Sequence, residues 1–351
     1  MTRYDAILLA SFGGPEGQDD VIPFLRNVTR GRGVPDERLE EVAHHYRHFG
    51  GVSPINAQNA ALRAALEAEL RSRGVDLPVL WGNRNWAPYV EDVARESYEA
   101  GHRRVLGVVT SAYTSYSGVK QYLEDFDRAI AAAGEGYAID RVREYFDHPG
   151  FVEPFVRGTR QAIEELRAAT GREVGDGIRV LFSTHSIPLA AAVDSGPGYG
   201  PHGAYEAQHL AVARYVMDQV TGQHKTGWEL VYQSRSGDPR TPWLEPDVND
   251  VIRALPDEVA AVVIVPIGFV SDHMEVLWDL DTEAMETAAE KGVLARRVGT
   301  PGTDPVFVAG LVDLIQERLD DVPESERRHV TELGPWPDGP QSLADYAAAR
   351  A

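Results

Sequence analysis

Six short runs of almost unbroken apolar residues punctuate this chain, and long amphipathic stretches separate them. DAILLASF (5–12), LPVLWG (77–82), RRVLGVVTS (103–111), IRVLFSTHS (178–186), GWELVYQS (227–234) and VAAVVIVPIGF (259–269) do not alternate apolar with polar residues. A strand with one wet face alternates, whereas a parallel strand covered by helices on both faces reads as these do. The stretches between them have helical spacing: NAQNAALRAALEAELRSRG (56–74), which stops on a Gly, HPGFVEPFVRGTRQAIEELRAATG (148–171), YEAQHLAVARYVMDQVTG (205–222) and DPVFVAGLVDLIQERL (304–319). Strands alternating with helices predict βαβ units and an α/β fold with doubly wound parallel sheets. The rhythm runs twice, and YFDHPG (145–150) separates the halves. Two similar α/β domains facing each other are therefore expected, 1–147 and 148–322, with 323–351 as a tail or loosely docked segment.

Length and composition agree with that reading. A chain of 351 residues, 43% hydrophobic and 25% charged, has material for two domains of ordinary size with a sizeable core. No run approaches the roughly 18–20 apolar residues that a membrane span needs. The N-terminal MTRYDAILLASFGG has too short an apolar run for a secretory signal, so a cytoplasmic protein without a transmembrane segment is expected. There is no cysteine, which removes disulfides, thiolate nucleophiles, Cys-ligated zinc and Cys-ligated iron–sulfur clusters. A formal net charge of −20 argues against nucleic acid as a partner, because phosphates require a basic surface.

In open α/β sheets ligands bind beyond the carboxyl ends of the strands. SFGGPEG (11–17) lies at such an end but lacks the spacing of a phosphate loop, so it reads as a tight turn that lets a flat ligand approach the backbone. LFSTHSIP (181–188) ends a strand on His185. Adjacent residues on a strand point to opposite faces and no G-x-S-x-G elbow is present, which leaves a lone histidine in search of a partner. GFVSDHMEVLWDLDTEA (268–284) supplies one, since Glu275, Asp279 and Glu283 recur every fourth residue. Like charges at that spacing repel by roughly 0.2–0.5 kcal/mol per pair on a helix. Asp272 and Glu275 fit a capping box, with the other acids on a solvated face. The alternative is a row of carboxylates pointing into the cleft without counterions, Lys291 being the next cation in sequence, and visited by a hydrated divalent metal. His185 and Glu275 would then form a weak two-ligand site, able to hold a metal without sequestering it and also to move protons.

These segments carry a resemblance. LLASFGGP, TRGRGVP, HFGGVSPI, STHSIP, QSRSGDPRTPWLEPDV and PIGFVSDHMEVLWDLD occur in the order and spacing found in ferrochelatases, from residue 4 to about residue 320. The chain looks most like the coproporphyrin-using enzymes of actinobacteria. The resemblance implies two Rossmann-like, chelatase-type domains around a porphyrin cleft, with Fe2+ inserted into coproporphyrin III to give coprohaem. It places the catalytic and metal-holding pair on His185 and Glu275, and it makes Asp279 and Glu283 an acidic relay along a π-type helix. It implies porphyrin contacts at Ser53, Tyr122, Phe12, Thr29, His45 and Tyr46. Phe12 stands where many relatives have a tyrosine that reaches the product's iron. Thr29 and His45 stand where others bring arginine to the propionates, with Arg30, Arg32, Tyr46 and Arg47 as substitutes. Phe12, Tyr113 and Trp86 are candidates for packing on the macrocycle. Fe2+ is expected as substrate rather than resident cofactor, and the iron–sulfur cluster of some relatives is excluded by the missing cysteines. The partners expected are the porphyrin, Fe2+ and transient partners in haem biosynthesis. Protoporphyrin IX as substrate, a non-catalytic porphyrin or haem carrier, and a cobalt or nickel chelatase for sirohydrochlorin-type rings are the alternatives.

Overall fold

A computed structural model describes residues 4–31, 33–196, 198–222, 226–236 and 240–349. The first half contains β1 (Ala6–Ser11), α1 (Val21–Val28), α2 (Asp36–His48), α3 (Ile55–Ser72), β2 (Val79–Asn83), α4 (Val90–Glu99), β3 (Arg104–Val109), α5 (Gln121–Ala133) and β4 (Ala138–Arg141). Helix α6 (Pro149–Thr170) then leads into β5 (Glu173–Val174), β6 (Gly177–His185), α7 (Leu189–Val193), α8 (Gly203–Thr221), β7 (Trp228–Gln233), α9 (Val248–Ala254) and β8 (Ala261–Val265). A π-helix (Val276–Ala284), α10 (Met285–Lys291), β9 (Leu294–Arg297), α11 (Pro305–Leu319) and α12 (Leu343–Ala348) complete the chain.

Both sheets are parallel throughout. The first has the order β2-β1-β3-β4. In the second, β6 lies between β7 and β8, β9 follows β8 at the edge, and the two-residue β5 pairs with the start of β6. Counted from β6, that order repeats the first sheet's. Every residue of β1 and of β8 is buried, which is why neither run alternates. Burying side chains such as Val262, Val263 and Ile264 contributes about 1.5–3 kcal/mol each before chain entropy is counted.

Local signals set the long helices. His148 caps α6 by accepting from the Gly150 N–H, Pro149 occupies the first turn, and Gly171 ends the helix in the left-handed region at φ 68°. Asp304 and Pro305 start α11 in the same way. One core cluster joins the halves, running from Ile7 and Leu9 through Tyr113, Phe146 and Phe151 to Phe182, Val263 and Phe307. Helix α11 packs on both α3 and α6, and Arg73 of the first half binds Asp313, Gln316 and the Ala309 carbonyl.

The segment after 322 departs from the loose docking expected of it. Thr331, Trp336 and Tyr346 are buried, and Trp336 N–H donates to Asp147 at 2.7 Å. Buried Arg141 donates to the Pro340 carbonyl at 3.0 Å, and its own N–H to Gln341 at 2.8 Å. Among the described residues no helix is long and apolar enough to cross a membrane.

Candidate functional site

Beyond the carboxyl ends of the strands the two halves meet, with Trp278 of the second stacked on His45 of the first. His185 is the last residue of β6, in register with Gln233 of β7. Its Nδ1–H donates to the Ser186 carbonyl, which leaves Nε2 facing Glu275 Oε1 at 3.6 Å. Behind it, the Tyr205 hydroxyl donates to the His185 carbonyl at 2.9 Å. Thr184 meets Tyr205 and His209, each at 2.9 Å, and His209 stacks on Tyr113 with centroids 3.6 Å apart. Tyr113 is therefore core, not a wall for a flat ligand as expected, and its hydroxyl is bound to the Ile267 carbonyl. Gly268 has no room for a side chain, because a Cβ would lie 2.2 Å from Thr184 Oγ1.

Glu275 lies directly before the π-helix. Its backbone N–H donates to His273 Nδ1 at 3.2 Å, and its carbonyl accepts from Gln233 Nε2 at 3.0 Å. Gln233 is held in turn by the buried Ser183 hydroxyl at 2.7 Å. Ser234, in the left-handed region at φ 61°, turns its hydroxyl onto Asp279. A non-glycine residue in that region is a strained position that its surroundings must maintain. Gln233, Ser234, Tyr205, His209 and His273 escaped the sequence reading. The end of β7 beside His185 was the signal available for the first two.

The capping-box reading of Asp272 fails. Its carboxylate binds Arg297 at 3.2 and 3.3 Å and Thr300 at 2.9 Å, so a cation 25 residues further on claims it. Arg297 also binds Asp281 at 2.8 Å. Among the described residues, however, no Lys or Arg pairs with Glu275, Asp279 or Glu283. All three lie on or directly before the π-helix, and Glu283 accepts from Trp278 Nε1 at 2.9 Å.

The charges shape each other. Burial depresses the His185 imidazole, but Glu275, the Ser186 carbonyl and Asp279 carry it up to about 9. Burial raises Glu275, and His185 with His273 outweighs it to bring that carboxyl down to about 2. Side-chain exposures of 32% and 47% mean that solvent screens part of this coupling. Burial, then Glu275, push Asp279 up to about 7 against the Ser234 hydrogen bond, with Glu283 adding to the rise. His273 is lowered by burial and by His185. Among the described residues no three His, Asp or Glu side chains are arranged to hold a metal, so His185 and Glu275 stand as a two-donor set.

The opposite wall comes from the first half. Phe12, 38% exposed, meets Phe24 edge-on at 6.3 Å, and Tyr46 and Trp86 pack on the same ring at 5.8 and 6.2 Å. Burial, then the charges of Glu275 and Asp279, drive the Tyr46 phenol well above its usual range, so that residue shares the carboxylates' space. Ser53 is buried against the SFGGP turn and donates its N–H to the Pro15 carbonyl at 2.9 Å. Tyr122 is buried apart from this wall, with the Arg84 guanidinium 4.1 Å above its ring.

Thr29 and His45 are both otherwise engaged: the Thr29 hydroxyl donates to the Leu25 carbonyl, and His45 stacks on Trp278. Arg47 pairs with Glu40 at 2.6 Å. Arg32 lies outside the described residues. Arg30 has no carboxylate partner among the described residues and lines a cavity of about 590 Å3 with Asn27, Arg84 and Asn85. Asn85 adjoins Phe12, donating its N–H to the Phe12 carbonyl at 3.0 Å.

Comparison with known proteins matches the chain to a family. The family model described as Ferrochelatase matches residues 4–319. The chain is 63% identical to the coproporphyrin III ferrochelatase of Leifsonia xyli over 95% of its own length and 89% of that protein's. Identity to the coproporphyrin III ferrochelatase of Streptomyces coelicolor is 56%, over 91% and 86% of the two chains. Among solved structures, SirB from Bacillus subtilis with Fe3+ shares the fold at TM-score 0.53 and 12% identity, over 89% of this chain and 96% of that one. This chain belongs to the ferrochelatase family.

Proposed function

We propose that this chain inserts Fe2+ into coproporphyrin III to give coprohaem, with His185 and Glu275 at the point of insertion. The observation that carries the reading is the 3.6 Å approach of His185 Nε2, at the end of β6, to Glu275 Oε1, directly before the π-helix. The names of its relatives from Leifsonia xyli and Streptomyces coelicolor support the choice of porphyrin.

Insertion exchanges two pyrrole N–H protons for one Fe2+. At neutral pH the resting pair is imidazolium and carboxylate, given values of about 9 and about 2. Fe2+ reaching Glu275 places a second cation beside His185 and drives its proton off to solvent, to which that side chain is 32% exposed, because like charges disfavour the charged form. The free imidazole then takes one pyrrole proton. Asp279, near 7, is suited to accept the other and pass it outward along the carboxylate row. Phe12, Tyr46 and Trp86 form the wall for the macrocycle, with Ser53 at its edge. Arg30 takes the propionate role that Thr29 and His45 do not fill. Tyr122 reaches a propionate only if Arg84 moves off its ring.

The test offers Fe2+ anaerobically with coproporphyrin III and with protoporphyrin IX, each alone, and follows the porphyrin absorption. Metallation of coproporphyrin III at a kcat/KM well above that for protoporphyrin IX is expected. The reverse order would move the substrate to protoporphyrin IX, and tight binding without turnover would make the chain a carrier.

A further inference from the structure

Trp278 precedes Asp279 on the π-helix, and its ring is gripped from the other half of the molecule. His45 of α2 lies flat on the indole, with centroids 4.1 Å apart and planes 7° apart. His44 and His48 meet it edge-on at 5.9 and 5.6 Å. The indole Nε1–H donates to Glu283 Oε1 at 2.9 Å, and among the described residues it is the one side-chain donor that reaches that carboxylate.

A glutamate on a helix surface loses rotamer freedom when it is held in one place. A Lys or Arg would hold it but cancel the charge that attracts a cation. A neutral N–H on a rigid ring, itself wedged between three imidazoles, fixes the oxygen and keeps the full negative charge. We propose that Trp278 is a positioning residue that fixes Glu283 as the outer capture point for hydrated Fe2+. Its role rests on the reading of Glu283 as part of the acidic relay. The stack on His45 ties that capture point to α2, so the outer end of the relay is built from both halves.

The test measures KM for Fe2+ anaerobically at saturating coproporphyrin III in Trp278→Phe, Glu283→Ala and the double variant. Phe keeps a ring against His45 and removes the N–H donor. Trp278→Phe should raise KM for Fe2+ about three- to tenfold with kcat within about twofold, the scale of one hydrogen bond to a charged group. The double variant should be no worse than Glu283→Ala, since the indole acts only through that carboxylate. An unchanged KM in Trp278→Phe, or effects that multiply in the double variant, would overturn the role. An unchanged KM in Glu283→Ala would sink the relay reading itself, and Trp278's role with it. Should Trp278→Phe fail to fold, His45→Ala loosens the same ring: a rise in KM that vanishes in the Glu283→Ala background supports the role, and no rise overturns it.

Discussion

His185 Nε2 and Glu275 Oε1 stand 3.6 Å apart, although 90 residues separate them in the chain (275 − 185). Neither is placed by its neighbours in sequence alone. The Tyr205 hydroxyl holds the carbonyl of one, and Gln233 holds the carbonyl of the other. His185→Ala and Glu275→Gln should each lower kcat for iron insertion by at least about 100-fold, the scale of a lost proton-transfer group. Far-UV circular dichroism and porphyrin affinity should stay near wild type, because both side chains line open space rather than core.

Asp279 gives a pH signature. Its carboxyl is pushed up from 3.8 to about 7, so the folded chain holds that proton more tightly than the unfolded one. Its contribution therefore favours folding below about 3.8 and is lost as pH rises through about 7. Asp279→Asn, neutral at every pH, should be more stable than wild type at pH 8 by on the order of 2 kcal/mol after solvent screening is allowed for. Wild type should show a rise in kcat/KM for Fe2+ through neutral pH, and the same variant should lose it. Urea unfolding and a pH–rate profile check the two halves of this prediction.

Among the described residues, Arg30 is the arginine candidate for the propionates that pairs with no carboxylate, whereas Arg47 pairs with Glu40. Arg30→Ala should weaken coproporphyrin III binding about three- to tenfold at low salt and less at high salt, as exposed charge pairs do. Arg47→Ala, which breaks a pair with Glu40, should leave binding unchanged. Fluorescence quenching titrations at two ionic strengths distinguish the two.

Gly268 leaves no space beside Thr184, whose hydroxyl joins Tyr205 and His209 behind His185. Gly268→Ala should cost about 1–3 kcal/mol, the usual range for forcing an extra carbon into a packed site. It should also lower kcat, since the displaced network carries the His185 backbone. A melting curve and a turnover assay on one preparation measure both.

The architecture was readable where burial leaves no choice of residue. β8 is AVVIV with every position buried, and such runs announced the central strands. The edge strands β4 and β9 were missed because AIDR and LARR are four residues long and interrupted by charges whose partners come from other segments, the Pro340 carbonyl for buried Arg141 and Asp281 for Arg297. The acid row and the strand-end histidine were visible as residue types at a spacing. Their supports were not, because Gln233, Ser234 and Tyr205 act through contacts made across strands and helices. Asp272 misled for the same reason: a local capping signature lost to Arg297, which the sheet brings in from the neighbouring strand. Tyr113 looked like a cleft residue and proved to be core, since an aromatic at a strand end carries no mark of which side it faces.

The most direct measurement mixes Glu275→Gln, preloaded with coproporphyrin III, with anaerobic Fe2+ and follows the porphyrin bands through a single turnover. If the carboxylate opposite His185 delivers the metal, the metal-free spectrum should persist while wild type converts. Conversion of the variant at the wild-type rate would contradict that role.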